Sequence, residues 1–280
     1  MIPIYENLSG RCAIITGGSG ILMSSMAKEL GRQGMTVAIV NRSKESGEKV
    51  ANEIHESGGA AAAFACDVSN PDSIVAAKKA ILERFGNYHV LINGAGGNQK
   101  DAITTDEVFD PNDAPTERSF FELDLDAFGK VLDINLTGTI AASQIFAKEM
   151  VGIEGATIVN ISSMSAFSPL TKVPAYSAAK AGVNNFTSWL AIYLAKVGIR
   201  VNAIAPGFFL TSQNRTLLTN EDGSPTTRSR KILTNTPMGR FGEPQELLGT
   251  LLWLLDEELS GFITGVTVPV DGGFMAFSGV

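Results

Sequence analysis

Tyr176 and Lys180 stand four residues apart, so on a helix their side chains share a face and an ammonium lies beside a phenol. A positive charge there favours the phenolate, which equips Tyr176 to give or take a proton near neutral pH. Ser163, preceded by Ser162, lies thirteen residues upstream, just beyond an apolar run that reads as a strand. From a strand end its hydroxyl can hold a substrate oxygen as the charge on that oxygen changes. The only histidines, His55 and His89, have neither metal-ligand spacing nor a nucleophile motif beside them, and Cys12 and Cys66 lie inside apolar runs. Zinc chemistry and a Ser-His-Asp hydrolase have almost nothing to work with, no metal is expected, and the tyrosine is left as the proton donor. That set suits proton transfer to or from a substrate oxygen as a hydride moves to or from its carbon.

Such chemistry needs a hydride carrier, and a loop for one stands near the start. Thr16-Gly17-Gly18-Ser19-Gly20 closes an apolar run and leads at once into a helical segment from Ile21 to Gln33. Glycines allow a sharp turn and close approach to a pyrophosphate, while the free N–H groups and dipole of a helix start attract its charge. A second apolar run ends in Val40-Asn41-Arg42-Ser43, where an acid would bind the ribose of NAD. Arg42 and Ser43 instead suit a 2′-phosphate, so NADP(H) is the expected cofactor, with NAD(H) bound through Asn41 as the open alternative. Asp67, with Val68, follows a third run and serves either the adenine amino group or the turn itself.

Seven strand-length runs must position these residues: Ala13 to Thr16, Val37 to Val40, Ala62 to Ala65, Val90 to Asn93, Thr157 to Ile161, Val201 to Ala205 and Val266 to Val270. They alternate with segments of helical period, including Phe128 to Met150 and Pro174 to Val197, as in a parallel sheet covered on both faces. The expectation is an α/β, doubly wound Rossmann fold spanning residues 1–280 as one domain. Two stretches break the rhythm, at about 97–123 and 208–240, and beyond the strand ends they are expected to form a rim and a substrate lid. A net charge of −7 disfavours nucleic acid and anionic membranes. Leu247 to Leu255 is the longest strongly apolar stretch and falls short of the roughly 20 residues of a membrane span. Met1 to Arg11 lacks a basic-then-apolar pattern, so no signal peptide is expected and cytoplasm is the expected location.

With these marks together the chain resembles the short-chain dehydrogenase/reductase family over nearly its whole length. The resemblance rests on the Thr16 to Gly20 loop, Asn93-Gly94-Ala95-Gly96, Asn135 in Asp133-Ile134-Asn135-Leu136, Ser163, Tyr176-Ser177-Ala178-Ala179-Lys180, Pro206-Gly207 with Thr211, and Val270-Asp271-Gly272-Gly273. It implies a strand order of 3-2-1-4-5-6-7, a catalytic tetrad of Asn135, Ser163, Tyr176 and Lys180, and a homotetramer. It further implies that Asn135 holds a water joining Lys180 to a proton relay and that Lys180 binds the nicotinamide ribose beside Tyr176. Asn93, Ala95 and Gly96 are then implied to flank the cofactor, and Pro206, Gly207, Phe209 and Thr211 to meet its nicotinamide end. Two departures stand out: Ile21 and Met23 occupy positions where the family has further glycines, and Gly94 replaces a second asparagine. Within the family, the acidic insertion after Gly96, the run Ile161 to Phe167 and the segment Pro206 to Thr211 with Asn214 and Arg215 are similar to sugar-acid reductases of the D-mannonate oxidoreductase, or fructuronate reductase, type. For a sugar acid, Asn98, Ser165 and Asn214 are of the kind that binds hydroxyls and Arg215 of the kind that binds a carboxylate, unless it is a solvated lid charge.

Overall fold

The apolar runs become β1 (Cys12–Thr16), β2 (Thr36–Asn41), β3 (Ala60–Ala65), β4 (Val90–Asn93), β5 (Thr157–Ile161), β6 (Arg200–Pro206) and β7 (Thr267–Val270). In the computed structural model, which describes residues 2–112, 117–211 and 218–279, they form one parallel sheet in the order β3-β2-β1-β4-β5-β6-β7. The order reverses between β1 and β4, where an open parallel sheet leaves a crevice at its carboxyl edge.

Alternation of side chains along the strands divides the interior into two layers. Ala13, Ile15, Val37, Ile39, Val90 and Ile92 meet α1 (Ile21–Arg32), α2 (Lys44–Glu56) and α8 (Leu248–Leu255). Cys12, Ile14, Ala38, Val40 and Leu91 meet α3 (Pro71–Phe85), α5 (Gly138–Met150) and α6 (Pro174–Leu194). Strands buried on both faces explain why their sequences are apolar without alternation. Among the described residues no helix is long and apolar enough to cross a membrane.

The periodic stretch from Phe128 to Met150 is not one α-helix. It is α4 (Leu125–Leu132), then a wider π turn over Asp133–Thr137, then α5. Asn135 Nδ2 donates to the Val131 carbonyl, four residues back, which is the acceptor an α-helix would give to the Asn135 amide. The side chain thus competes with the backbone for one acceptor, and the turn widens.

Of the two irregular stretches, the first is pinned by Ala102, which is fully buried against Ala127, Val131 and Ala175. The second contains α7 (Thr227–Thr234), which Thr226 caps by accepting a bond from the Ser229 amide.

Candidate active site

Lys180, Tyr176, Ser163 and Asn135 reach the site from three elements. Pro174 opens α6 as its first residue, so Tyr176 and Lys180 fall in the opening turns, close to the carboxyl ends of β4 and β5. Lys180 Nζ lies 5.6 Å from the centre of the Tyr176 ring and donates to the Ile161 carbonyl at 2.7 Å. Ser163, two residues past β5, accepts from the Ser165 amide at 3.2 Å and the Ser165 hydroxyl at 3.0 Å. With its lone pairs so engaged, its own proton is left to point elsewhere. Asn135 is fully buried and brackets Gly97, donating to its carbonyl at 2.7 Å and accepting from its amide at 3.3 Å. A Cβ on Gly96 would lie 2.6 Å from Asn135 Oδ1 and 3.7 Å from Lys180 Nζ, so glycine is what lets the chain after β4 pass over these two groups.

Burial controls the proton affinities here. Desolvation brings Lys180 down to about 8 and raises the Tyr176 phenol above its ordinary value, with the Ser163 hydrogen bond pulling the phenol the other way. The expectation that the ammonium would bring the phenol down is therefore outweighed by the loss of water around both groups.

A cleft of about 720 Å³ opens at the ends of the first four strands, lined by Gly17, Ser19, Gly20, Asn41, Arg42, Ser43, Asp67, Val68, Ala95 and Gly96. Gly17 has φ +66°, and a Cβ there would come within 2.8 Å of Ala95 Cα, so the loop can close over the chain after β4 only without a side chain. Gly20 stands at the helix start in extended conformation and α1 has no side-chain cap, which leaves its first amides open to an anion. Asn41 Oδ1 accepts from the Ser19 amide at 3.1 Å, and its Nδ2 is buried without a partner. Arg42 is exposed at the lip and makes no hydrogen bond or ion pair with a described residue. Asp67 accepts from the amide and hydroxyl of Ser69, and these bonds, more than the nearby Arg42, hold its carboxyl below the usual range. A glycine cradle, an uncapped helix start and a spare buried donor suit a dinucleotide.

Several expected cofactor residues also make contacts within the protein. Thr16 is buried, and its hydroxyl accepts from the Gly94 and Ala95 amides, because the parallel pairing of β1 and β4 brings the two loops together. Gly18 faces the sheet, where a Cβ would meet Ile39 at 2.9 Å, and Ile21 begins α1 outside the cleft lining. Asn93 points into the protein and donates to Ser143 at 2.9 Å and Asn160 at 2.8 Å, while Asn160 donates on to Thr187 at 2.9 Å. This chain of buried bonds joins α5 to α6 through β4 and β5, since an amide on a strand covered on both faces can only find partners inside. Ser43 caps α2 by accepting from the Ser46 amide at 3.3 Å, and it also lines the cleft.

Beyond β6, Gly207 packs so tightly on Asp271 that a Cβ would come within 2.6 Å. Phe209 is buried against Gly242 and lines, with Phe208, a separate cavity of about 360 Å³. Pro206 closes β6, and Thr211 is the last residue described before 218. Asn214 and Arg215 lie outside the described residues. Asn98 lines a cavity of about 560 Å³ between the two irregular stretches, whereas Ser165 is buried against Ser163.

The two sequence departures compensate each other. A Cβ on Gly94 would sit 2.0 Å from Met23 Sδ, so the Met23 side chain fills the space that a side chain at position 94 would need. A swap of volume across a non-local contact leaves no mark in either segment alone.

Comparison with known proteins agrees with this geometry. A family model described as enoyl-(acyl carrier protein) reductase matches residues 20–275. The chain is 58% identical over 280 residues, covering all of both chains, to the uncharacterized oxidoreductase UxuB of Bacillus subtilis. The chain belongs to the short-chain dehydrogenase/reductase family. As a short-chain dehydrogenase/reductase it is an oxidoreductase, of a family that uses NAD(P). It is also 33% identical over 277 residues, 98% of each chain, to glucose 1-dehydrogenase 2 of Bacillus subtilis. Among solved structures, a Haemophilus influenza protein provisionally named D-mannonate oxidoreductase, with bound NAD, superposes with a TM-score of 0.94 at 50% identity over 98% of both chains.

Proposed function

We propose that this short-chain dehydrogenase/reductase interconverts a secondary alcohol and a ketone on a sugar acid of the D-mannonate/D-fructuronate type. The observation that carries the substrate class is the likeness to the Haemophilus protein, whose provisional name is D-mannonate oxidoreductase and which spans the rim and lid regions as well as the sheet. When bound, a nicotinamide dinucleotide supplies or receives the hydride. In the reducing direction Tyr176 gives its phenolic proton to the substrate oxygen as the carbonyl carbon gains hydride, and Ser163 donates a hydrogen bond to that oxygen. Lys180, held by the Ile161 carbonyl, stabilises the phenolate left behind and binds the nicotinamide ribose. Asn135 holds the π turn and Gly97 in place, so that a water can link Lys180 to solvent and return the proton.

The cofactor reading keeps NADP(H), through the unpaired Arg42, with NAD(H) as the alternative that the NAD of the Haemophilus protein favours. The enzyme is read as a cytoplasmic homotetramer. Trp189, Ile192 and Tyr193 are exposed on α6, and Phe186, Trp189 and Tyr193 stack in a row, an apolar surface of the kind that subunits cover. A light-scattering mass near that of one chain at micromolar concentration would overturn the assembly.

The substrate test is reduction of D-fructuronate and of neutral ketoses with NADH and NADPH in parallel. Turnover of the keto-uronate well above the neutral sugars supports the reading. Preference for apolar carbonyls would replace it with the alternative that Phe208 and Phe274, in edge contact at 5.5 Å on the cavity wall, line an apolar site.

A further inference from the structure

We propose that Arg228 on α7 is the carboxylate anchor of the substrate site, and that the acid group binds in the rim–lid cavity, away from the reacting carbon. This rests on the sugar-acid reading and adds a residue and an orientation to it.

The walls of the 560 Å³ cavity include three cations, Lys172, Arg228 and Lys231, against one carboxylate, Glu107. Such an excess is unusual in a chain of net charge −7 and makes a local well for an anion. Two of the cations are committed. Lys231 Nζ is paired with Glu107 at 2.8 Å, across 124 positions of sequence. Lys172 Nζ donates to the Thr105 carbonyl at 2.7 Å, and its own carbonyl accepts from the Thr104 amide at 3.0 Å. Lys172 is also the only non-glycine among the described residues with left-handed backbone, at φ +71°. The strained turn fixes the loop before α6 to the rim, and one of the three ammonium donors is engaged in that tie.

Arg228 makes no hydrogen bond or ion pair with a described residue. It is nonetheless close enough to Glu107 to join Lys231 and Lys172 in holding that carboxyl below its usual range. A planar guanidinium is suited to grip a carboxylate through two parallel bonds. Asn98, Ser168 and Thr171 line the same cavity and offer groups for hydroxyls, and its volume is that of a typical small-molecule site.

Position gives the orientation. Tyr176 and Ser163 do not line this cavity, whereas Val173, one residue before α6, and Asn98, two residues past Gly96, do. The cavity therefore adjoins the proton donor without containing it. A carboxylate held by Arg228 and a carbonyl at Tyr176 belong to different ends of the substrate, which selects a hydroxylated acid whose ketone is remote from the carboxylate over a 2-keto acid.

The test uses purified enzyme with its preferred cofactor, as parent, Arg228→Gln and Arg228→Lys, on D-fructuronate, on a 2-keto-hexonate and on D-fructose. In the parent, D-fructuronate is expected to be the better acid. Arg228→Gln should raise KM for D-fructuronate roughly tenfold with kcat little changed, the size of one charge-assisted contact. D-Fructose kinetics should not move, and Arg228→Lys should recover part of the loss. Equal changes on acid and neutral substrate, or none, would overturn the anchor. Calorimetric titration with D-gluconate separates the two readings. If the parent turns over no sugar acid, the substrate reading falls, yet weaker gluconate binding in Arg228→Gln than in the parent still upholds the anion site. Equal gluconate binding in both would remove it.

Discussion

On the floor of the site, Lys180, Asn135, Asn93 and Asn160 are buried and bonded to backbone carbonyls or to one another. On the wall above it, Glu107, Arg228 and Lys231 are exposed, and a single ion pair joins Glu107 to Lys231. The floor comes from strand ends and the opening turns of α6, where the sheet dictates every neighbour. The wall comes from the two irregular stretches, tied across by the Lys231–Glu107 pair. A buried bond cannot be exchanged for water, so removing a floor residue leaves an unsatisfied partner, whereas a wall residue can be replaced while solvent takes over. On the proposed reading, the proton chemistry of the reaction lies where geometry is over-determined and the choice of substrate where it is adjustable.

The largest expected effect is on the floor. Tyr176→Phe removes one hydroxyl and leaves the ring, so turnover should fall by about 10²- to 10⁴-fold while dinucleotide binding, followed by nicotinamide fluorescence, stays near the parent's. Activity within a few-fold of the parent would show that another group gives the proton.

Next is the volume swap under the glycine loop. Gly94→Asn drives a side chain into Met23 and should destabilise by about 1 to 3 kcal/mol, the usual range for overpacking. Adding Met23→Gly should return most of that loss in chemical denaturation. Two losses that simply add would mean that Met23 and Gly94 are not coupled.

These cases show what could be read in advance and what could not. β4 and β5 stand with the boundaries their apolar runs suggest, and β2 and β6 gain residues such as Thr36 and Arg200 that are polar yet lie within the sheet. Ser163, Tyr176 and Lys180 were legible because strand end and helical spacing are local properties. The roles of Thr16 and Asn93 were not, because each is set by a neighbouring strand: β4 brings Gly94 to Thr16, and β5 brings Asn160 to Asn93. The π turn at Asn135 escaped for a similar reason, since the apolar period runs through it unbroken. Met23, Gly97, Lys172 and Arg228 carried no motif. In the stretch after β6 the sequence pointed to Arg215, which lies outside the described residues, as the cation for a carboxylate, and nothing in it singled out Arg228.

The floor's rigidity should also have a measurable cost in stability. Lys180, ordinarily near 10.5, titrates at about 8 in the fold, so between these values the unfolded chain holds a proton that the folded chain has released. Stability of the parent then rises with pH across that window, and below it the fold carries the full cost of a buried ammonium. Lys180→Met should abolish turnover yet stabilise the protein at neutral pH by about 2 kcal/mol, less than the full shift because the Ile161 carbonyl loses its donor. The gain should shrink as pH climbs through 8 toward 10.5, and denaturation curves at neutral and alkaline pH would measure it. A variant less stable at every pH would mean that the Nζ–carbonyl bond outweighs desolvation.

The smallest effect belongs to the lip of the cofactor cleft, where Arg42 has the exposure of a wall residue. Asn41 spends its oxygen on the Ser19 amide and so holds the loop, which leaves Arg42 as the cation available to a 2′-phosphate. A charge-assisted contact there is worth roughly tenfold in affinity once exposure is discounted. Nothing about a diol requires that charge, and the Asn41 Nδ2, buried and without a partner, is a donor that either cofactor could use. Arg42→Ala should therefore weaken NADP(H) by about that factor and leave NAD(H) unchanged, with both affinities measured side by side. A parent that prefers NAD(H) with the variant identical to it would mean that Arg42 extends into solvent and that the lip does not read the phosphate.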